Sequence, residues 1–332
     1  MYFSKIIDLY ALNDLHKNRS KEFQYSPPIV IPEITDRENF YQMKAVDILF
    51  NTPYKQKDYS VGTFTFQSTI SSGDSINDYI TGELFLNRNV DAPNVIFVHG
   101  WRMESNDRIK KIFHNRIVNN LGWNMYYFTL PYHFQRKPEN SLYSGEYMIS
   151  ANIQRTIQST KQAIIDLRAL IHRIKAQNNN PIILVGVSLG GFITNLAATL
   201  ESEIDVLISI FYANRLSYSI WNTIPGKFIK EDLECHGVNY NDLIKYWKIT
   251  EPSQAIPIVK KDNILLISAK YDQYVHIEDT NYLWDSWGKP TRYVYNCGHS
   301  GIVLNRKKIA EDTLGFIEKR IKSENKVDVS LC

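Results

Sequence analysis

From residue 93 onward, short aliphatic runs alternate with segments that have helical spacing. The runs are NVIFVHG, NMYYFTLP, PIILVGV, DVLISIFYA, NILLISAK and TRYVYN. The longest segment between them, SANIQRTIQSTKQAIIDLRALIHRIKAQ, places Ile164, Leu167, Ile171 and Ile174 on one stripe. Strands that are apolar on both faces and alternate with helices are typical of a parallel sheet covered by helices. The pattern predicts an α/β fold in which the carboxyl ends of the strands share one edge.

The part before residue 93 follows a different pattern. Two β-rich segments, VGTFTFQSTI and DYITGELFLN, flank the turn-forming SSGDSIND and predict an antiparallel hairpin at a sheet edge. Residues 1–58 have too little apolar content for a core of their own, although Ile6, Ile7, Leu9, Tyr10 and Leu12 fit one face of a short helix. We therefore expect an N-terminal extension, 1–58, that packs on a domain formed by 59–332.

An aromatic-rich stretch, 214–257, interrupts the later alternation and contains one clear helical piece, YNDLIKYWKI. It joins the end of one strand to the start of the next, so it predicts a small helical cap over the carboxyl edge of the sheet. We expect Trp221 and Trp247 to line a pocket for the acyl or leaving group of a substrate. The alternative is that both side chains only pack the cap onto the sheet.

Charge and cysteine content exclude several classes of function. The 38 Lys and Arg residues are scattered among 35 Asp and Glu residues, which gives a net charge of +3 and argues against a nucleic-acid partner. Cys235, Cys297 and Cys332 form no Cys-x-x-Cys pair, so a disulfide scaffold or zinc ribbon is not expected. Asp8 and Asp14 interrupt the apolar N-terminal stretch, which argues against a signal peptide. No apolar run approaches the roughly 18 residues of a membrane span, and we expect a cytoplasmic protein without an integral membrane segment.

One motif carries candidate chemistry. Gly186-Val187-Ser188-Leu189-Gly190 follows an aliphatic run and precedes small, helix-compatible residues. A Gly-x-Ser-x-Gly turn between a strand and a helix is typical of a nucleophile elbow, which lifts the serine hydroxyl clear of the sheet edge. The N–H of Leu189 then lies at the start of a helix, where it can donate to an oxyanion. The alternative is a serine that caps an ordinary helix.

A serine nucleophile needs a base and a carboxylate that orients the base. Three histidines follow Ser188 in the chain: His236 in the predicted cap, His276 at a helix start, and His299. His299 lies in the glycine-flanked loop YNCGHSGIV after the last strand, so it is the candidate base. Asp272, just past the strand NILLISAK, is the candidate acid. Glu278 and Asp279 are its rivals, but they fall in the next helix.

Two loops at the same edge supply further candidates. His99-Gly100-Trp101 follows the run NVIFV, so the Trp101 N–H is the predicted second oxyanion donor, while its indole can wall the acyl pocket and His99 is expected to be structural. The loop 131–147 offers substrate contacts through Tyr132 and His133.

In the same loop, Arg136 and Lys137 can meet a polar or anionic group of a substrate. The structural alternative, which we favour, is that Arg136 holds the loop through an acidic partner such as Glu146. A His-Glu-x-x-His motif and a phosphate-binding glycine loop are absent from the sequence. We therefore expect no metal and no cofactor.

These motifs together carry a family resemblance. LPYHFQRKPENSLYSGEY, a helix containing Arg155 and Asp166, and then GVSLGG resemble a poorly characterised group of bacterial α/β-hydrolases, sometimes labelled prolyl-oligopeptidase-like. The chain from about 93 to 319 looks like the α/β-hydrolase superfamily. The resemblance implies the α/β-hydrolase fold and a catalytic triad at Ser188, Asp272 and His299.

The function that these residues predict is a serine hydrolase that cleaves carboxylic esters through an acyl-enzyme, acting on a small-molecule ester or acyl substrate. Thioesterase, lipase-like and peptidase activities use the same triad, and so does acyl transfer to an acceptor other than water. A binding protein on the same fold is the non-enzymatic alternative, against which an intact triad argues.

Overall fold

Nine strands form one sheet in the computed structural model, which describes residues 2–17 and 23–329; Cys332 lies outside the described residues. The strands are β1 (Leu49–Lys55), β2 (Tyr59–Gln67), β3 (Tyr79–Asn87), β4 (Asn94–Val98), β5 (Asn124–Phe128), β6 (Ile182–Val187), β7 (Val206–Ile210), β8 (Ile264–Ala269) and β9 (Thr291–Tyr295). Their spatial order is β1-β2-β3-β5-β4-β6-β7-β8-β9. Strands β1, β2, β3 and β5 pair antiparallel, and β5, β4, β6, β7, β8 and β9 pair parallel.

Helices connect the strands. They are α1 (Tyr2–Lys17), α2 (Arg37–Phe40), α3 (Ser75–Asp78), α4 (Asp107–Ile109), α5 (Ile153–Lys175), α6 (Leu189–Ala198), α7 (Leu216–Asn222), α8 (Lys227–Cys235), α9 (Tyr240–Trp247), α10 (Ile277–Ser286), α11 (Gly301–Leu304) and α12 (Arg306–Val329). Helix α4 continues as a π-helix, Lys110–Asn120. Within residues 2–17 and 23–329, none of the helices combines the length and the apolar character that crossing a membrane requires.

Alternation along the buried strands divides the core into two layers. In β4, Ile96 and Val98 join the cluster that packs under α5 and α6, whereas Val95 and Phe97 join the cluster that packs under α12. Successive side chains of a strand point to opposite faces, so a strand that is apolar throughout serves both layers. Strands β4 to β8 are buried along their whole length. The predicted α/β fold is confirmed.

The segments outside the parallel sheet depart from the sequence pattern in two ways. The predicted hairpin forms as β2 and β3, but residues 49–55, assigned to the extension, add β1 outside it. The stretch 214–257 contains three helices, α7, α8 and α9, where the pattern indicated one. Short helices escape a periodicity argument because they have too few turns to repeat their apolar positions.

Helix α1 packs on an unexpected side. Among the apolar residues predicted to form one helix face, Leu12 is buried, whereas Ile6, Leu9 and Tyr10 are exposed. The buried residue one turn before Leu12 is an acid, Asp8. Hydrophobic spacing therefore predicts the helix but not the face that it presents to the domain.

Candidate active site

Ser188 lies in a sharp turn between β6 and α6. Its φ of 56° and ψ of −115° fall where side chains other than glycine are strained. The Ser188 N–H donates to Ile210 O of the neighbouring strand β7 at 2.9 Å, which fixes the turn to the sheet. A strained backbone that the surrounding structure holds in place is a frequent property of functional residues.

Two glycines of the motif permit this turn. A Cβ on Gly190 would lie 2.1 Å from Val98 O, and one on Gly186 would lie 2.4 Å from Gly190 O. Either contact is far inside van der Waals distance, and the atoms met are backbone atoms that cannot move aside. The motif therefore packs β6 and α6 against the end of β4 more closely than any side chain at these positions allows.

The loop after β4 lies beside the serine. A Cβ on Gly100 would lie 3.4 Å from Ser188 Cβ, so the backbone at Gly100 comes close to the Ser188 side chain. Leu189 is the first residue of α6, and first-turn N–H groups have no acceptor within their own helix. The structure thus places Leu189, and the Gly100 backbone that precedes Trp101, next to Ser188, and the oxyanion role of the Leu189 and Trp101 N–H groups stays a prediction. The indole Nε1–H of Trp101 donates to Gly145 O at 2.8 Å, which holds the side chain against the 131–147 loop.

His99 is buried and its ring joins two loops. Nδ1 lies 2.9 Å from Gly100 O, and Nε2 accepts the Leu130 N–H at 3.1 Å. Burial lowers the pKa of His99 to about 4, so the ring is neutral at physiological pH. These contacts fit the structural role predicted for His99.

Asp272 and His299 form a hydrogen-bonded pair at the carboxyl ends of β8 and β9. His299 Nδ1 lies 2.7 Å from Asp272 Oδ2. The other carboxylate oxygen, Oδ1, accepts the backbone N–H groups of Tyr274 and Val275, each at 2.8 Å. Because both carboxylate oxygens accept hydrogen bonds, the orientation of Asp272 is fixed. Its hydrogen bond to Nδ1 in turn orients the imidazole of His299.

The surroundings of His299 favour its protonated form. Burial alone lowers the pKa of the imidazole, but the charge and hydrogen bond of Asp272, together with the charge of Asp8, outweigh that effect and raise it. Tyr274 stacks on the ring with centroids 4.6 Å apart. Across the described residues, no hydrogen bond joins Ser188 Oγ to His299. Such catalytic contacts often tighten only when substrate binds.

The rival acid and histidines have other partners. Asp279 is buried, and it pairs with Arg215 Nε at 2.8 Å and accepts the Asn214 N–H at 2.9 Å. His276 precedes α10, and His236 Nδ1 lies 2.8 Å from Asp232 O inside the cap. None of these contacts leads to Ser188, so the geometry favours Asp272 and His299.

The 131–147 loop turns its predicted substrate contacts inward. Tyr132 is 4% exposed, and His133 is fully buried with Nδ1 2.8 Å from Pro131 O. Arg136 is also fully buried, and its guanidinium pairs with Asp166 at 3.2 Å, so the suggested partner Glu146 is wrong. The side chain of Lys137 donates to Ser141 O at 3.2 Å within the loop.

The two cap tryptophans occupy different environments. Trp247 is fully buried, and its Nε1–H donates to Ile153 O at 3.4 Å, which favours the packing alternative for this residue. Trp221 is half-buried and stacks on Tyr240 with centroids 5.8 Å apart.

A cavity of about 250 Å³ opens beside Trp101, and it is lined by cap residues other than the two cap tryptophans. Its lining joins the oxyanion loop, the 131–147 loop, helix α1 and helix α8, and comprises His16, Phe23, Gln24, Trp101, Arg102, Tyr143, Glu146, Ile149, Ser150, Ala151, Pro225, Phe228, Ile229, Glu231 and Asp232. The cap thus contributes to a cavity through Pro225, Phe228 and Ile229. Within the described ranges, no group of three or more His, Cys, Asp or Glu side chains is placed to hold a metal ion.

Sequence reasoning missed one residue of the site. Asp8 is fully buried, and its carboxylate accepts the backbone N–H groups of His299 and Ser300 at 2.8 and 2.9 Å. The only local signal was an acid inside an apolar stretch, which we read as evidence against a signal peptide.

Solved structures with the same arrangement of sheet and helices include an acetyl xylan esterase from Paenibacillus, with a TM-score of 0.65 and 14% identity over 89% of this chain and 97% of that chain. The acylaminoacyl peptidase of Pyrococcus horikoshii superposes with a TM-score of 0.58 and 16% identity, over 80% of this chain and 42% of that chain. The chain therefore has the α/β-hydrolase fold. No family model matches it.

Relatives by sequence are named as uncharacterized proteins. YdjC of Bacillus subtilis is 72% identical over 115 residues, which are 35% of this chain and 99% of YdjC, so the two are members of one family. Rv2627c of Mycobacterium tuberculosis is 27% identical over 233 residues, 67% of this chain and 53% of the mycobacterial protein. The chain therefore spans about half the length of that relative.

Proposed function

We propose that this protein is a serine hydrolase that cleaves carboxylic esters through an acyl-enzyme on Ser188. The observation that carries the proposal is the 2.7 Å Asp272–His299 pair, which lies at the same sheet edge as the strained Ser188 turn. A hydroxyl lifted clear of a sheet edge, an oriented imidazole and two amide donors are the parts that acyl transfer requires.

Ser188, His299 and Asp272 act as nucleophile, acid–base catalyst and orienting carboxylate in the proposed reaction. Ser188 Oγ attacks the ester carbonyl carbon while His299 Nε2 takes the hydroxyl proton. The imidazolium, held by Asp272, then gives that proton to the departing alcohol oxygen, which leaves an acyl-Ser188 ester. Water repeats the sequence: His299 takes its proton, the hydroxide oxygen bonds to the acyl carbon, and Ser188 Oγ recovers the proton as the acid leaves.

The Leu189 and Trp101 amides are the proposed oxyanion donors. In each tetrahedral intermediate, the former carbonyl oxygen carries the negative charge and lies toward the Gly100–Trp101 loop and the start of α6. Losing one donor of such a pair typically lowers kcat on the order of 10²–10³-fold. Because both donors are backbone groups, they are fixed in position before substrate binds.

The comparisons support ester cleavage as the reaction class. Proteins of similar fold are named acetyl xylan esterases and a cold-adapted esterase, all below 25% identity. The acylaminoacyl peptidase shares only 42% of its length with this chain, so it supports a peptidase reading less well.

We infer that the cavity beside Trp101 receives the acyl or alcohol part of the substrate. It shares Trp101 with the oxyanion loop, and Phe228 and Ile229 give it an apolar wall. Its volume of about 250 Å³ lies below the roughly 300–1,000 Å³ of pockets for drug-sized ligands. A short acyl chain is therefore the expected substrate class.

Covalent labelling with a fluorophosphonate, followed by p-nitrophenyl esters of graded acyl length, tests the proposal. We expect the wild-type protein to carry the adduct on Ser188 and to prefer short chains. Ser188→Ala removes one hydroxyl at a turn and should lower kcat by several orders of magnitude without changing the melting temperature. Ser286→Ala, at an exposed position, is the matched control. An adduct on another serine, or an active Ser188→Ala enzyme, would sink the assignment.

A further inference from the structure

A buried carboxylate from helix α1 joins the two loops that carry Asp272 and His299. Asp8 Oδ2 accepts the His299 N–H at 2.8 Å and the Gln273 N–H at 3.3 Å, and Oδ1 accepts the Ser300 N–H at 2.9 Å. Because Gln273 directly follows Asp272, the Asp8 carboxylate binds the backbone next to Asp272 as well as the backbone of His299.

Burying a carboxylate costs free energy unless its oxygens accept hydrogen bonds, so the burial of Asp8 depends on these N–H donors. Asp8 is fully buried, and the three backbone N–H groups supply the required donors. Among the described residues, no lysine or arginine forms an ion pair with it. The Asp8 carboxylate thus binds backbone N–H groups. Removing the carboxylate would leave these N–H groups without their acceptor.

We propose that Asp8 is a positioning residue for the catalytic histidine: it clamps the His299 loop to the Asp272 loop and so sets the imidazole relative to Ser188. This inference rests on the proposed serine hydrolase function. It assigns residues 2–17 a part in the active site, since α1 brings the carboxylate to the carboxyl edge of the sheet.

A glycine in the histidine loop permits the clamp. A Cβ on Gly298 would lie 2.4 Å from Asp8 Oδ2, inside contact distance. The Gly-His sequence at 298–299 therefore has a physical reason in this chain, namely the approach of a carboxylate from a helix 291 residues earlier.

Helix α1 has independent anchors that hold Asp8 in place. Leu12, one turn after Asp8, is 1% exposed. The His16 ring, one turn further, makes an edge-to-face contact with the ring of Phe228 in the cap, with centroids 4.8 Å apart. The helix thus contacts the catalytic loop at one end and the cavity wall at the other.

The charge of Asp8 gives the clamp a signature that a purely structural contact lacks. Asp272, Asp8 and the stacked Tyr274 are titratable groups that contact or act on His299. The charges of the same two carboxylates also act on the Cys297 thiol, and the Arg102 charge acts on Tyr274. Burial raises the pKa of Tyr274 and of Cys297, and both carboxylates add to that effect, so these two groups stay neutral around neutral pH. Asp272 and Asp8 are then the charges that raise the pKa of His299.

The test compares Asp8→Asn with wild type in the pH dependence of kcat/KM for the best ester of the panel. We expect kcat/KM at its plateau to fall on the order of 10²-fold, as small misplacements of catalytic groups can cause. The acid limb should move to lower pH because a charge that raises the pKa of His299 is lost. Asp58→Asn, an exposed acid in the turn before β2, should leave both unchanged.

Two further variants separate positioning from folding. Leu12→Ala weakens the docking of α1 but keeps the carboxylate, so it should lower the melting temperature without moving the acid limb. Gly298→Ala displaces the carboxylate without removing it and should lower kcat/KM even where Asp8→Asn fails to fold. Two results would overturn the proposal. One is a plateau kcat/KM within twofold of wild type in both Asp8→Asn and Gly298→Ala. The other is a shift of the acid limb in Leu12→Ala that is as large as the shift in Asp8→Asn.

A failure of the proposed function gives a different result. If wild type takes no fluorophosphonate label and cleaves no ester, the hydrolase assignment is wrong. The clamp is then still measured by amide hydrogen exchange in a peptide spanning 297–301, which should be faster in Asp8→Asn than in wild type. Unchanged exchange would remove the clamp as well.

Discussion

At the residue scale, carboxylates that accept backbone N–H groups hold the candidate site together. Asp272 accepts two such groups from the residues that follow it, and Asp8 accepts three from two loops. Hydrogen bonds to a charged acceptor are roughly twice as strong as those between neutral groups. The imidazole is therefore oriented by contacts that do not depend on mobile side chains.

The first prediction concerns the protonation of His299. Its pKa is raised, so ester hydrolysis should increase with pH through a midpoint above the ordinary histidine value of about 6.5. Below that midpoint the ring is an imidazolium and cannot accept the Ser188 proton; above it the neutral ring can. Measuring kcat/KM from pH 5 to 9, with the uncatalysed ester rate subtracted, checks this. A rate that is flat from pH 5 to 8 would argue against a histidine base.

Sequence alone reaches part of this site. Ser188, Asp272 and His299 follow from a local motif and from the order in which strand ends occur, since each lies just past an aliphatic run. Asp8 does not follow, because its partners lie 291 and 292 residues away and no local pattern encodes a contact across that distance. The orientation of the Tyr132 and His133 side chains could not be predicted either, since a position in a loop does not specify which way a side chain points.

At the element scale, the cap combines two roles that its composition does not separate. Helices α8 and α9 are both amphipathic and aromatic, but Trp247 of α9 is fully buried over α5, whereas Phe228 of α8 borders the cavity. Aromatic content predicted a pocket, and hydrophobic periodicity predicted one helix. Neither specifies which aromatic reaches the cavity, because that depends on how the short helices turn back on each other.

The second prediction uses this difference. Trp247→Ala should lower the free energy of unfolding by about 3–5 kcal/mol and leave the ranking of acyl lengths unchanged. Phe228→Ala should change the ranking, since pocket contacts discriminate by roughly 1–3 kcal/mol per methylene, with a smaller loss of stability. Urea denaturation and the ester panel measure the two effects. Unchanged selectivity in Phe228→Ala would remove the cavity as the acyl site.

At the scale of the whole molecule, the N-terminal segment is integrated into the domain. Arg37 is buried, and its guanidinium donates to Glu251 O at the end of the cap at 3.0 Å and to Thr199 Oγ1 at the end of α6 at 2.8 Å. Tyr41, also buried, donates to Ile249 O at 3.2 Å. The sequence indicated an extension that packs on the domain, but partners more than 150 residues away left no trace in its spacing.

These contacts predict that the extension, the cap and the sheet unfold together. Arg37→Met removes two buried hydrogen bonds from a charged donor, each contributing about 1.5–3 kcal/mol, so the free energy of unfolding should fall by about 3 kcal/mol or more. Arg108→Met, at an exposed position, should change it by less than about 0.5 kcal/mol. Denaturation followed by tryptophan fluorescence and by circular dichroism should give one coincident transition in wild type. Separate transitions, or an Arg37→Met protein as stable as Arg108→Met, would mean that residues 23–41 lie on a domain that folds without them.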